Sequence, residues 1–254
     1  MSIMVAAVPD GIPAYDRDEW RHWIDEDRDC QDTRQEALIE ESTSPVEYKD
    51  SDQCKVASGE WTGPYTGERF TDPSDLDIDH MVPLANAHRS GGWLWSASRR
   101  RDYANDLSYK GHLIAAQSAA NRAKGAKGPE EWRPPDPDYW CQYATDWIAI
   151  KNNWKLTATE AEASSLSEML GACSPPIALT TVESAEPQPQ APALTRAAQP
   201  IAPPASDRVY DSCDEAEAAG EERVQGSQGN GRGFLASMVP SASDRDGDGV
   251  VCEK

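Results

Sequence analysis

Apolar and polar positions along the chain fall into blocks whose period switches between helical and extended. Between Tyr15 and Ile24, the residues Trp20, Trp23 and Ile24 stand at i, i+3 and i+4, which predicts a helix with one buried face. Asp32 to Glu41 repeats the helical signal, with Ala37, Leu38 and Ile39 set among acids and amides. Glu60 to Arg69, with Trp61, Gly63, Pro64 and Gly67, is turn-rich and predicts short strands or loops. Asp79 to Leu84 predicts a short strand that Pro83 ends, and His112 to Ala116 a short apolar strand. Between them Ala97 to Leu107 predicts a basic helix, and Gln117 to Ala126 a helix ending at Gly125. Tyr139 to Trp154 carries Tyr143, Trp147, Ile150 and Trp154 on one face of a strong amphipathic helix. Thr157 with Glu160 reads as a capping box for a last helix that runs to Leu170 and stops at Gly171. The pattern contains no internal repeat.

Beyond these blocks the texture changes. Residues 174–206 hold eight prolines and no aromatic residue, too little apolar surface to offset the entropy of ordering. The division this predicts is an N-terminal extension at 1–14, a domain at 15–173, a Pro/Ala-rich linker at 174–206 and a small module at 207–254. The chain of 254 residues has 38% hydrophobic residues, nine Trp and eight Tyr, enough to seed a core, and no apolar run long enough to span a membrane. Its net charge of -20 argues at first against nucleic acid, since phosphate affinity rests on Lys and Arg. The charge is uneven, however. Residues 1–79 hold 21 acidic and 7 basic residues, net -14, whereas 80–173 hold 10 and 11, net +1, with eight basic residues between Arg99 and Arg133. A local cationic site is therefore compatible with an acidic surface.

Six cysteines, none in a CxxC pair, fit disulfides and an oxidising compartment rather than a zinc ribbon. Pairing in chain order keeps each bond within one segment and predicts Cys30–Cys54, Cys141–Cys173 and Cys213–Cys252. The opening MSIMVAAVP lacks the basic start and the length of an export signal, so an exported protein is expected to be met here as a mature form with a start Met.

The chemistry concentrates in Asp77-Ile78-Asp79-His80-Met81-Val82-Pro83, in Asn105-Asp106-Leu107 and in Asn121-Arg122-Ala123-Lys124-Gly125. Phosphodiester hydrolysis needs a base near neutrality, which His80 supplies, and a hard cation on oxygen ligands, which Asp79 and Asn121 supply. Asp77, two residues before Asp79, reads equally as a further ligand or as a solvated acid. His112 reads either as a residue behind the site or as a satisfied structural histidine. His22 and His88 are expected at the surface. Arg122, Lys124, Lys127 and the run Arg99, Arg100, Arg101 are candidate phosphate contacts. The aromatic residues read mainly as core.

DxDHxxP, the two spaced Asn and the NRxKG tail together resemble the HNH, or ββα-metal (His-Me finger), endonucleases. The likeness is nearest to the DUF1524 group of secreted actinobacterial proteins and the C-terminal nuclease of modification-dependent restriction enzymes. The resemblance spans roughly Asp16 to Cys173. It implies an α+β fold with a ββα-metal core in a mostly helical domain. It also implies His80 as general base, Asp79 and Asn121 as metal ligands, and Asn105 as the residue that holds the loop and orients the base. Asn121 stands where many of these enzymes carry a second histidine, which shifts preference from Zn²⁺ to Mg²⁺ or Mn²⁺. Products with 5′-phosphate ends follow from the same likeness.

In the tail, Asp244, Asp246, Asp248 and Gly249 lead to Val250 and Glu253, carboxylates arranged as for Ca²⁺, although Glu253 comes two positions sooner than in an EF-hand loop. With Tyr210, Cys213 and Cys252 the segment resembles the Excalibur module and implies a small disulfide-stapled calcium-binding domain. The expectation is a secreted, monomeric, metal-dependent endonuclease acting on DNA, with RNA left open, little sequence preference, and a tail able to associate with a cell surface. Two rivals stand beside it: a catalytically silent calcium-dependent surface protein, and an intracellular modification-dependent restriction nuclease.

Overall fold

A two-stranded ribbon divides the apolar residues into two cores in the computed structural model, which describes residues 1–183 and three short strands beyond them. The ribbon pairs β6 (Leu76–His80) with β7 (Leu113–Gln117) antiparallel, from Leu76 opposite Gln117 to His80 opposite Leu113. Side chains alternate across it. Leu76, Ile78, Leu113 and Ala115 enter one core with Ala37 and Leu38 of α1 (Thr33–Glu41), Val56 and Trp61. Ile114 and Ala116, on the other face, enter the larger core with Trp20, Tyr65, Tyr103, Tyr143 and Trp147. Helix α1 starts where Asp32 accepts a hydrogen bond from the Gln35 N–H. Two small hairpins pair β2 (Glu47–Tyr48) with β3 (Val56–Ser58) and β4 (Trp61–Thr62) with β5 (Arg69–Phe70).

Helix α5 (Trp140–Trp154) buries Tyr143, Trp147 and Ile150, as its pattern predicts, and ends at Lys155 in the left-handed conformation, φ 59°. Helix α6 (Glu160–Leu170) packs beside it. The fully buried Lys151 ammonium lies 2.6 Å from Glu162 Oε1 and donates to Ser90 Oγ and Thr157 O. Strand β1 (Ser2–Val5) buries Ile3 and Val5 and pairs in parallel with β8 (Thr180–Glu183). Segments that the sequence reading set apart as extension and linker thus each supply a strand to the same unit, which runs from Met1 to Pro189. Disulfides join Cys30 to Cys54 and Cys141 to Cys173. In the second unit β9 (Val224–Gln225), β10 (Arg232–Leu235) and β11 (Val250–Val251) form an antiparallel sheet. The expected Cys213–Cys252 bond and the ligands Asp244, Asp246, Asp248 and Glu253 lie outside the described residues.

The domain is mixed α/β, and several elements differ from expectation. Residues 15–24 form no α-helix, only a 3-10 turn at Arg17–Glu19. Their helical spacing arises because Trp20 enters the larger core while Trp23 packs on the smaller one, two burial directions that mimic one face. The strand expected at 79–84 runs instead over Leu76–His80, because Pro83 stands at the N-cap of α2 (Leu84–Arg89) and the chain turns into that helix. The buried face of that helix includes His88, which is 3% exposed and hydrogen-bonded to Pro13 O, not a surface residue. The last capping box falls two residues later than read, on Thr159 and Glu162, since Thr157 instead donates to Ser90 O.

Candidate active site

Helix α3 (Ala97–Ala104) begins at Ser96, whose side chain accepts from the Arg99 N–H, and ends at Asn105. Its last carbonyls lack the donors a continuing helix would supply, although the Asn105 and Asp106 N–H groups reach back to Tyr103 O. Two histidines bind these carbonyls. His80 Nε2 lies 2.9 Å from Ala104 O, and His112 Nε2 lies 2.9 Å from Tyr103 O. A carbonyl only accepts, so each Nε2 carries the proton and each Nδ1 keeps a lone pair. Burial holds His80 well below the ordinary histidine value, opposed by the Ala104 carbonyl. Burial also takes His112 down to about 4, against the pull of Asp106. His112 is 1% exposed and packs edge-on to Tyr103, so it is a structural histidine behind His80.

Asn105 is the knot of this end. Its Nδ2 donates to Arg21 O and Arg101 O, and its Oδ1 accepts from the Ile24 N–H and from Thr33 Oγ1. One amide thus ties α3 to the 21–24 loop and to the start of α1.

Strand alternation puts Asp79 on the face opposite His80, beside Asp77 and under α4 (Ser118–Lys124). Asp79 is 6% exposed, and its Oδ2 accepts from Tyr65 Oη at 2.5 Å and Lys124 Nζ at 2.6 Å. Lys124 Nζ also donates to His80 O at 2.9 Å. Burial pushes the Asp79 carboxyl up and the Lys124 ammonium down, and their pairing opposes both shifts. Asn121 donates through Nδ2 to Asp77 Oδ2 at 3.2 Å, and Arg122 Nε lies 3.8 Å from the same oxygen. Among the described residues, Asp79 Oδ1 and Asn121 Oδ1 accept no hydrogen bond. Oxygen donors from two carboxylates and an amide suit a hard divalent cation, so the set fits the expected metal. In its two-stranded sheet β6 pairs with β7 on one side alone, so its other edge lies between Asp79 on one face and His80 on the other.

The structure separates the expected phosphate contacts. Lys124 is fully buried against Asp79 and is not a surface cation, because α4 lays it on the carboxylate face of the ribbon. Arg122, three-quarters exposed, keeps its guanidinium beside Asp77. Lys127 donates to Ala123 O, Arg99 to Trp154 O, Arg100 pairs with Glu19, and Arg101 with Asp102. Tyr65, absent from the sequence reading, is the main addition. Its only signal was that a buried tyrosine needs a partner for its hydroxyl. Asp25, Asp27 and Asp29 also bring carboxylates together, but all three are exposed, and each accepts from a backbone N–H of the same loop.

Residues 32–169 match the family described as GmrSD restriction endonucleases, C-terminal domain, a span that takes in β6, α3, β7 and α4. Residues 210–253 match the Excalibur calcium-binding domain. An "Uncharacterized secreted protein" of Arthroderma benhamiae (strain ATCC MYA-4681 / CBS 112371) is 45% identical over 159 residues, 63% of this chain and 76% of that protein. No solved structure matches the chain.

Proposed function

The chain belongs to the family of GmrSD restriction endonuclease C-terminal domains, and from that premise we propose that it is a secreted, divalent-metal-dependent endonuclease that hydrolyses phosphodiester bonds in DNA. The β6–β7–α4 order, with Asp79 and His80 closing the first strand and Asn121 on the helix, supports a ββα-metal core of the HNH type. The observation that carries the reading is the 2.9 Å contact of His80 Nε2 with the Ala104 carbonyl. The Nε2 proton is held by Ala104 O, so Nδ1 is the atom that takes a proton from water. The imidazolium formed then faces the carbonyl end of α3, where a positive charge is favoured. Tyr65 and Lys124 engage Asp79 Oδ2, so Asp79 Oδ1 would hold the metal together with Asn121 Oδ1, whose Nδ2 donates to Asp77. A bound Mg²⁺ or Mn²⁺ supplies charge neutralisation at the phosphate and the departing oxygen. Arg122, three-quarters exposed, is the phosphate contact beside the ligands.

The two disulfides and the secreted relative support export. The Excalibur match supports Ca²⁺ binding by Asp244, Asp246, Asp248, Val250 and Glu253. Incubation of supercoiled DNA, linear DNA and RNA with a panel of divalent metals, with and without EDTA, tests the proposal. Cleavage that EDTA abolishes is the expected result, and no cleavage with any metal overturns it.

A further inference from the structure

Trp23 lies outside the family span, which starts at residue 32, yet its ring is among the nearest to His80. The centroids are 5.5 Å apart and the planes differ by 30°. The same indole packs against the smaller core. His22 and His112 stand edge-on to the same imidazole at 6.4 and 6.3 Å. The indole thus links the core to the ring that the proposed function makes the base.

The backbone is forced to deliver it. Trp23 has φ 57°, in the left-handed region, where a bulky residue sits only when its surroundings impose it. The restraint is on both sides of the residue. Asn105 Nδ2 donates to Arg21 O, and Asn105 Oδ1 accepts from the Ile24 N–H. The Thr33 N–H and hydroxyl hold Ile24 O. Asn105 follows Ala104, whose carbonyl fixes His80 Nε2. One end of α3 therefore holds the imidazole and also clamps the loop that places the indole over it.

We propose that Trp23 is a positioning residue for His80. Ala104 O fixes one point of the ring, and a ring held at one hydrogen bond can still swing about its χ angles. The indole removes that freedom and so holds the direction of Nδ1. The catalytic site is then completed by a segment that precedes the family domain. This rests on the nuclease reading for its kinetic consequence, but not for its geometric one.

The test uses the full chain with Trp23→Gly and Trp23→Phe. Glycine adopts a positive φ freely, so Trp23→Gly removes the indole while relieving the backbone. The chain has four histidines, which allows each ring to be assigned in long-range ¹H–¹⁵N spectra. Wild type is expected to show His80 as the Nε2–H tautomer, Trp23→Gly to show averaging between tautomers, and Trp23→Phe to restore the wild-type pattern. In nuclease assays, kcat of Trp23→Gly should fall by at least ~10-fold, since a misplacement of about 1 Å can cost ~10²-fold. KM and Mn²⁺ affinity by electron paramagnetic resonance should stay within about twofold, because Asp79 lies on the face of the ribbon opposite His80, and Trp23→Phe should recover most of kcat. An unchanged His80 tautomer pattern in Trp23→Gly, or an unchanged kcat in an active enzyme, overturns the proposal. If wild type cuts no nucleic acid, the functional reading falls, and the tautomer spectra still decide the role of Trp23.

Discussion

Each residue of the site owes its state to an acceptor or donor that the fold leaves over. The terminal carbonyls of α3 fix the protons of His80 and His112, and the Lys124 ammonium and the Tyr65 hydroxyl fix Asp79. His80→Ala should lower the cleavage rate by ~10²–10⁴-fold, the usual worth of a general base, while Mn²⁺ still binds. A variant that keeps a tenth of the wild-type rate removes His80 from that role. Lys124→Ala should act on stability first, because it strands a buried carboxylate. A loss of about 3–5 kcal/mol is expected from urea denaturation. His112 makes a pH prediction whose sign is fixed by burial. Its pKa falls from 6.5 unfolded to about 4 folded, so the unfolded chain binds the extra proton between those values. The contribution is present in full above 6.5 and is lost as pH falls towards about 4, up to roughly 3 kcal/mol. Glu41, lifted by burial from 4.5 to about 7, works in the opposite sense, losing stability as pH rises through that window. The measurement is therefore the difference between wild type and His112→Asn, which should widen as pH rises from about 4 to 6.5.

At the scale of elements, helix starts and stops obey local rules closely enough to test singly. Lys155 ends α5 at φ 59°, where glycine sits without the cost a Cβ imposes, and Lys155 is exposed. Lys155→Gly should raise the unfolding midpoint by the equivalent of about 1 kcal/mol. A fall would mean that the lysine side chain itself holds the turn. The same locality explains what the sequence made legible. Helices α1, α3, α4 and α5 show themselves through period and caps, β7 through its apolar run, and the proposed metal ligands through a rare spacing of Asp, His and Asn, whereas β6 starts three residues before the expected Asp79. Burial by two cores does not show itself that way. Trp20 and Trp23 look like one helical face because nothing local says that they point into different cores. Lys124 looks like a surface cation because its partner Asp79 lies 45 residues away in sequence. Tyr65 sits in a turn and acquires its role only when the ribbon brings Asp79 beneath it.

For the whole molecule, the unit from Met1 to Pro189 contains strands from both of its ends, so its boundary is set by pairing and not by proline content. A form ending at residue 189 should keep its fold and cut with Mg²⁺ or Mn²⁺ without Ca²⁺. One ending at 173 should melt lower by calorimetry, since β1 then loses β8. Equal melting temperatures would show that β8 adds nothing. The parallel sense of that pair carries a mechanical consequence. The start of β1 and the end of β8 lie at opposite ends of the two strands, and four residue pairs join them in register. Tension applied through the two ends of the unit draws the strands past one another along their length, so the bonds share the load instead of opening one after another. A protein tethered through its C-terminal module and pulled from its first residues would meet that tension in shear, the direction in which so short a pair of strands resists best.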